Sequence, residues 1–264
     1  MSLLFVLGFM VLVMAAAWAW QKQVNDIGWV DVFWTFGTAG AGLVLAWLGG
    51  HGDWPRRLLV SAIVAIWALR LGLYVAVRVA SASQEDGRYR ELRKDWGAAL
   101  QSRLFGFLQI QAVVSTGLAL AIAVAVNRPG AGLGPGDLLG VAIAAVAIGG
   151  EALADRQLAA FRRDPANAGR ICDVGLWGWS RHPNYLFEWL GWFAYPAFAI
   201  DLSGAYPMGW WALLAPAVMF LVLRFGTGVP PLEAHMRRTR GAAFDTYSDR
   251  VPVFLPLAIR RSPS

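Results

Sequence analysis

The chain alternates long apolar runs with short polar breaks, and each run is close to the roughly 20 residues that a membrane-crossing helix needs. The runs predict helices at Leu3–Trp20, Trp29–Gly49, Leu58–Ala80, Phe105–Val126, Asp137–Asp155, Pro183–Ile200 and Met208–Arg224. The expectation is an all-α, polytopic membrane protein with seven spans, one membrane-embedded domain over residues 1–264 and a tail, residues 225–264, too short and irregular to be a domain. No Lys or Arg precedes the first run, so it reads as a span and not as a cleaved signal. The break Asn127–Gly136, NRPGAGLGPG, has the chemistry of a turn. It holds no complete GxGxxG, and no strand pattern precedes it. No internal repeat is visible.

Composition narrows the class. Of 264 residues, 57% are hydrophobic and 15% charged, against about 25% charged in soluble domains, which excludes an ordinary soluble protein. Cys172 stands alone and has no partner for an internal disulfide. His51, His182 and His235 are scattered without zinc-ligand spacing, so no metal site is expected. The remaining charge is asymmetric: eighteen Lys and Arg fall in the first, third and fifth connections and in the tail counted with Arg224, and only Arg56, Arg57 and Arg128 in the others. The positive-inside rule then puts the N-terminus outside and the tail in the cytosol of a cell membrane. The net charge of +6 is read as a basic cytosolic face meeting anionic lipid headgroups or a small anionic ligand, with no nucleic-acid partner.

Seven ionisable residues fall within or at the rims of the predicted spans: Asp31, Arg70, Arg78, Glu151, Asp155, Glu188 and Arg224. Each costs about 2.5–3.5 kcal/mol at the bilayer centre, so they must meet each other, water or a ligand. In the expected topology all seven lie in the cytosolic half, the pattern of a polar pocket open to the cytosol above an apolar floor. The structural alternative has Arg78 snorkelling and Arg70 pairing with Asp31 or Glu188. Trp67, Arg70 and Tyr74 share a helix face, suited either to clamping a phosphate beside a flat ligand or simply to packing.

The stretch Glu151–Trp192 carries the most information. Asp155 and Arg162 fall on one side of a helix, Arg163 and Arg170 follow, and the loop uses arginine without lysine. The planar guanidinium fork suits phosphate. Pro183 suits a first helical position. Asn184, Tyr185 and Glu188 then form a first turn with free backbone donors, and Glu188 needs a donor such as a carboxamide or an arginine.

The segments GLWGWSRHPNYLFEWLGW, AAFDTYSDRVPVFLPL, NDIGWVDVFWTFG and WALRLGLY resemble a bacterial member of the membrane steroid 5-alpha-reductase family, over most of the chain. The resemblance implies a seven-helix membrane oxidoreductase of steroid or other lipid metabolism, using NADP as NADPH to reduce the double bond of an enone. The implied substrate is lipophilic, typically a 3-oxo-4-ene steroid. It assigns Asp155, Arg162, Arg170, Asn184, Tyr185, Glu188 and Arg224 to the dinucleotide, with Arg70 and Arg88 on its phosphates. The family's ketone-polarising carboxylate aligns with Asp31, and its partner tyrosine falls at Trp67. An indole is no proton acid, so a protonated Asp31 is the expected donor to the enolate oxygen, with Tyr74 the second candidate.

The RHPNY…E signature is also similar to that of sterol C14 and C7 reductases and of isoprenylcysteine carboxyl methyltransferases, which use S-adenosylmethionine. A membrane methyltransferase is therefore the alternative, and Glu233 and Tyr247 are compatible with it. A third reading is a non-catalytic membrane protein whose buried charges are structural. Neither the natural substrate nor the oligomeric state is written in the sequence.

Overall fold

The computed structural model describes residues 2–48 and 52–255; Gly49, His51, Arg260 and Arg261 lie outside them. Eleven α-helices are seen among the described residues: α1 Ser2–Val24, α2 Trp29–Leu48, α3 Trp54–Ser81, α4 Gly87–Trp96, α5 Leu100–Val126, α6 Pro135–Arg163, α7 Pro183–Gly191, α8 Ala194–Ala199, α9 Leu214–Phe225, α10 Val229–Arg240 and α11 Ala242–Arg250. No strand occurs among these residues. Six helical stretches are long and apolar enough to cross a membrane: Leu3–Val24, Trp29–Leu48, Trp54–Ser81, Gly87–Val126, Pro135–Arg163 and Pro207–Arg240.

The expected continuous span Pro183–Ile200 is instead two short helices, α7 and α8, separated at Trp192 and Phe193. Pro196 supplies the reason. In an unbroken helix its ring would press on the carbonyl of Trp192, to which it has no N–H to donate. Pro216 acts likewise on Ala212, and residues Pro207–Leu213 form a tighter 3-10 helix before α9 begins. The tail, expected to be irregular, holds α10 and α11.

The chain forms two compact units, Met1–Ala142 with Phe193–Val218, and Ile143–Trp192 with Met219–Ser264. In the first, α2 packs against α1, α3 and α5, and α1 packs against α5. Val6, Met10, Met14 and Ala17 line one stripe of α1 at three- and four-residue spacing and are fully buried. They meet Val30, Ala41 and Leu45 of α2 and Leu104, Leu108 and Ala112 of α5. Opposite faces expose Leu4, Phe5 and Leu12, as lipid permits. Gly42 brings α2 onto Ile122 of α5, where a Cβ has no room.

A buried ionic clasp closes the end of this unit that carries the α5–α6 connection. Arg56, 2% exposed, pairs with the fully buried Asp137 at 2.7 Å and donates to the carbonyls of Arg128 and Gly132. Asp137 also accepts from Arg128 at 2.7 Å and from the backbone N–H of Gly134. From the sequence, Arg56 and Arg128 read as loop charges. With Asp137 paired to two arginines and Arg56 bonded through Nε, Nη1 and Nη2, the burial is sustainable.

In the second unit, the C-terminal part of α6, α7 and the tail helices are joined through aromatic and polar contacts. Trp189 meets Phe220 at a tilt, with ring centres 5.0 Å apart, and stacks on Phe254 at 6.2 Å. The Trp177 indole N–H donates to the Ala154 carbonyl at 2.9 Å.

Candidate functional site

In the first unit the site grows from the α1–α2 connection. Asn25 takes a left-handed φ of 55° as α1 ends, a conformation that asparagine tolerates better than most residues. The Asp26 carboxylate then caps the N–H of Gly28 at 2.8 Å. The chain re-enters a helix at Trp29, with Asp31 in its first turn. A Cβ at Gly28 would touch Val79, so the start of α2 lies close against the end of α3. Glu85, beyond α3, accepts from the N–H of Ile27 and from Arg93, tying the two connections together.

These turns put the Asp31 carboxylate within 2.8 Å of the Tyr89 hydroxyl, which donates to it, and within 3.4 Å of the Arg88 guanidinium. Arg88 also grips Asp86 through its side chain and its own backbone N–H. Burial pushes the Asp86 carboxyl up, but the Arg88 charge together with the side-chain and backbone hydrogen bonds from Arg88 outweighs it and holds the group at about 2. Sequence reasoning missed Tyr89, which sits in the basic run RYRELRKDW and reads there as one residue of a solvated helix. Thr35 spends its hydroxyl on the Asp31 carbonyl, and Thr38 bonds Ser115 of α5 at 3.0 Å.

Trp67 is buried edge-on against Trp34, a packing role. Arg70 and Arg78 lie over the ring of Tyr74, with guanidinium carbons 5.5 and 5.8 Å from its centre. A groove of about 340 Å³ between α1 and α2 is lined by Phe9, Val13, Val32, Phe33, Phe36 and Gly37. Its lining has no polar side chain, whereas a small-molecule site pairs apolar walls with a few polar groups.

In the second unit, Glu151, Asp155 and Glu188 are buried, Asn184, Tyr185 and Arg224 are half-buried, and Arg162 and Arg170 are exposed. Asp155 and Arg162 therefore share a helix side but not an environment. Glu188 accepts the Trp192 indole N–H at 2.9 Å, a donor one helical turn away. Arg170 donates to the Asn167 side chain at 3.3 Å.

The SRHPNY segment carries a second function that the sequence did not disclose. Arg181 donates to Glu233 of α10 at 2.8 Å and to the carbonyls of Ser248 and Val251, and its backbone N–H donates to the Pro252 carbonyl. Ser180 donates to the Val253 carbonyl. His182 shares Glu233 at 3.0 Å and stacks on Tyr185. Burial pushes the His182 ring below its ordinary value, against the pull of Glu233. The Tyr247 hydroxyl donates to the Trp177 carbonyl at 2.7 Å. The first half of the motif thus fastens the tail, and Asn184, Tyr185 and Glu188 follow as the start of α7. Glu233 and Tyr247, the residues compatible with a methyltransferase, are occupied by this fastening.

Among the described residues no group of three or more His, Cys, Asp or Glu is arranged to hold a metal ion. No curated protein and no solved structure matches the chain. A family model described as protein of unknown function (DUF1295) matches residues 17–251. Its apolar helices make the chain a multi-pass membrane protein, and the match over most of its length shows that it belongs to the DUF1295 family.

Proposed function

We propose that the protein is an NADPH-dependent reductase of the steroid 5-alpha-reductase type, which reduces the carbon–carbon double bond of an enone in a steroid or other lipid-like 3-oxo-4-ene substrate. The observation that carries this reading is the Tyr89 hydroxyl, held at 2.8 Å by Asp31 beside Arg88 at the end of an apolar helix bundle. Reduction of an enone builds negative charge on the ketone oxygen, which a positioned O–H in a dry setting stabilises. On substrate entry the single Tyr89 proton, held by Asp31 in the free protein, would turn to the ketone oxygen, so Tyr89 and not a protonated Asp31 is the proposed donor. Asp31 orients the phenol, and Arg88 holds Asp31 in place.

The second unit's residues suit a phosphorylated dinucleotide: exposed arginines at the end of α6 and on the loop after it, and at the start of α7 the half-buried Asn184 and Tyr185 with the buried Glu188. Asn184 and Glu188 would hold the nicotinamide amide, with Asp155, Arg162, Arg170 and Arg224 along the rest. Bound there, NADPH supplies the hydride for the β-carbon. In this reading the chain crosses the membrane seven times, α7 and α8 making the seventh crossing, with the N-terminus outside and the tail in the cytosol.

The test is thermal stabilisation of the purified protein in detergent by NADPH, NADH and S-adenosylmethionine in parallel, followed by enone-dependent loss of nicotinamide absorbance. Stabilisation by NADPH and turnover of a 3-oxo-4-ene steroid are expected. A shift with the methyl donor alone would overturn the reading.

A further inference from the structure

Beyond the residues already assigned, the second unit gathers arginines around one preformed loop. The loop after α6 is shaped by its own side chains: Asp164 caps the N–H of Ala166, the Asn167 amide donates to the Phe161 carbonyl, and the Arg170 N–H returns to the Asn167 carbonyl. Gly169 takes a left-handed φ of 78°. Against it lies the end of α10, with Arg240 Nη1 3.7 Å from where a Gly169 Cβ would stand. A guanidinium from the tail is thereby placed beside the residue that precedes Arg170.

Arg162, Arg163, Arg170 and Arg240 are all exposed, and among the described residues none of them is in an ion pair. The acids nearby are engaged elsewhere: Asp164 caps the loop, Asp173 pairs with Arg250 at 3.1 Å, and Glu233 is held by Arg181 and His182. The exposed arginines at the end of α6, on the loop and at the end of α10 outnumber the loop carboxylates Asp164 and Asp173, and the excess positive charge is offset when an anion joins them. Arginine forks favour a phosphate.

From this placement we infer that Arg240 of α10 and Arg170 of the loop form a phosphate-monoester site that recognises the 2′-phosphate of the dinucleotide. The inference rests on reading the second unit as dinucleotide-binding, and it deepens that reading by making the tail a determinant of NADPH over NADH. The exposed position suits the most heavily charged group of the ligand, as the buried Glu188 suits the uncharged nicotinamide amide.

Titration calorimetry on the full chain in detergent, without added lipid, compares adenosine 2′,5′-bisphosphate with adenosine 5′-monophosphate. The bisphosphate binds more tightly to the unaltered protein, Arg240→Ala lowers that advantage by about tenfold, and Arg240→Lys retains part of it. Monophosphate binding is unchanged in both variants. An unaltered ratio in Arg240→Ala, or no binding of the bisphosphate to the unaltered protein, overturns the inference. Sedimentation with phosphatidylglycerol vesicles that depends on Arg240, with the nucleotide ratio unaltered, assigns the arginines to lipid headgroups and overturns it equally. If the ratio depends on Arg240 but NADPH supports no enone reduction, the phosphate site stands and the reductase reading falls. If reduction proceeds and Arg240→Ala keeps its preference for NADPH, the reverse holds.

Discussion

At the scale of single residues, the Tyr89–Asp31 hydrogen bond makes a sharp demand on mutants. Tyr89→Phe keeps the ring and removes the donor, so turnover is expected to fall by about a hundredfold or more with NADPH affinity unchanged. Asp31→Asn, which loosens the phenol, should likewise lower turnover far more than affinity. Steady-state kinetics beside direct NADPH titration separates the two quantities, and an equal loss in both would remove the pair from the chemistry. His182 makes a different demand. Its folded-state value lies below the ordinary 6.5 because burial outweighs the help of Glu233, so the unfolded chain takes up a proton first. The stability this ring contributes is present above about pH 6.5 and is lost as the pH falls below it. Thermal unfolding from about pH 7.5 to about pH 5.5 is expected to show this loss, with a shallower slope in His182→Gln.

At the scale of elements, apolar run length located the long helices within a few residues, except that α6 runs on past Asp155 to Arg163, because a lipid-facing helix must be apolar over most of its length whatever it packs against. The same signal failed at residues 183–200, where Pro196 interrupts hydrogen bonding within a stretch that remains apolar, whereas residues 208–224 fall within the spanning stretch Pro207–Arg240, which opens on a 3-10 helix. It also passed over α10 and α11, which are fastened by contacts distant in sequence. Arg181 is the centre of that fastening. Arg181→Ala strips the partly buried Glu233 of one partner and frees the carbonyls of Ser248 and Val251. The expected cost is about 3–5 kcal/mol, seen as a lower unfolding temperature and as faster trypsin cleavage in α10 and α11. Cleavage at the rate of the unaltered protein would show that the tail is held by its apolar contacts, Phe244 and Tyr247 among them.

At the scale of the whole molecule, the charge asymmetry makes a topological prediction independent of any chemistry. With Cys172 changed to Ser, a cysteine at Ser203 should react with an impermeant maleimide in intact cells. One at Ser83 should react only after the membrane is opened. Both positions are exposed in connections between helices. The opposite pattern would invert the proposed orientation and move the arginine-rich loop away from cytosolic cofactors.

Much of the candidate site was legible in advance. Asp31, Glu151, Asp155 and Glu188 were conspicuous as carboxylates inside apolar runs, and the structure places three of them in buried positions and Asp31 in a half-buried one. Their partners were not legible. Tyr89 lies 58 positions from Asp31, Glu233 lies 52 from Arg181, and Asp137 lies 81 from Arg56. Periodicity describes what one helix shows to its surroundings and carries no record of which distant side chain will meet it. The sequence by itself determined the membrane class, the long helices and the residues too costly to bury alone, since these follow from transfer free energy summed along the chain. Only the tertiary structure decided which charges neutralise one another, that half of the SRHPNY motif fastens the tail, and that Arg240 stands over the loop beside Arg170. Those outcomes depend on hydrogen-bond geometry between segments far apart in the chain.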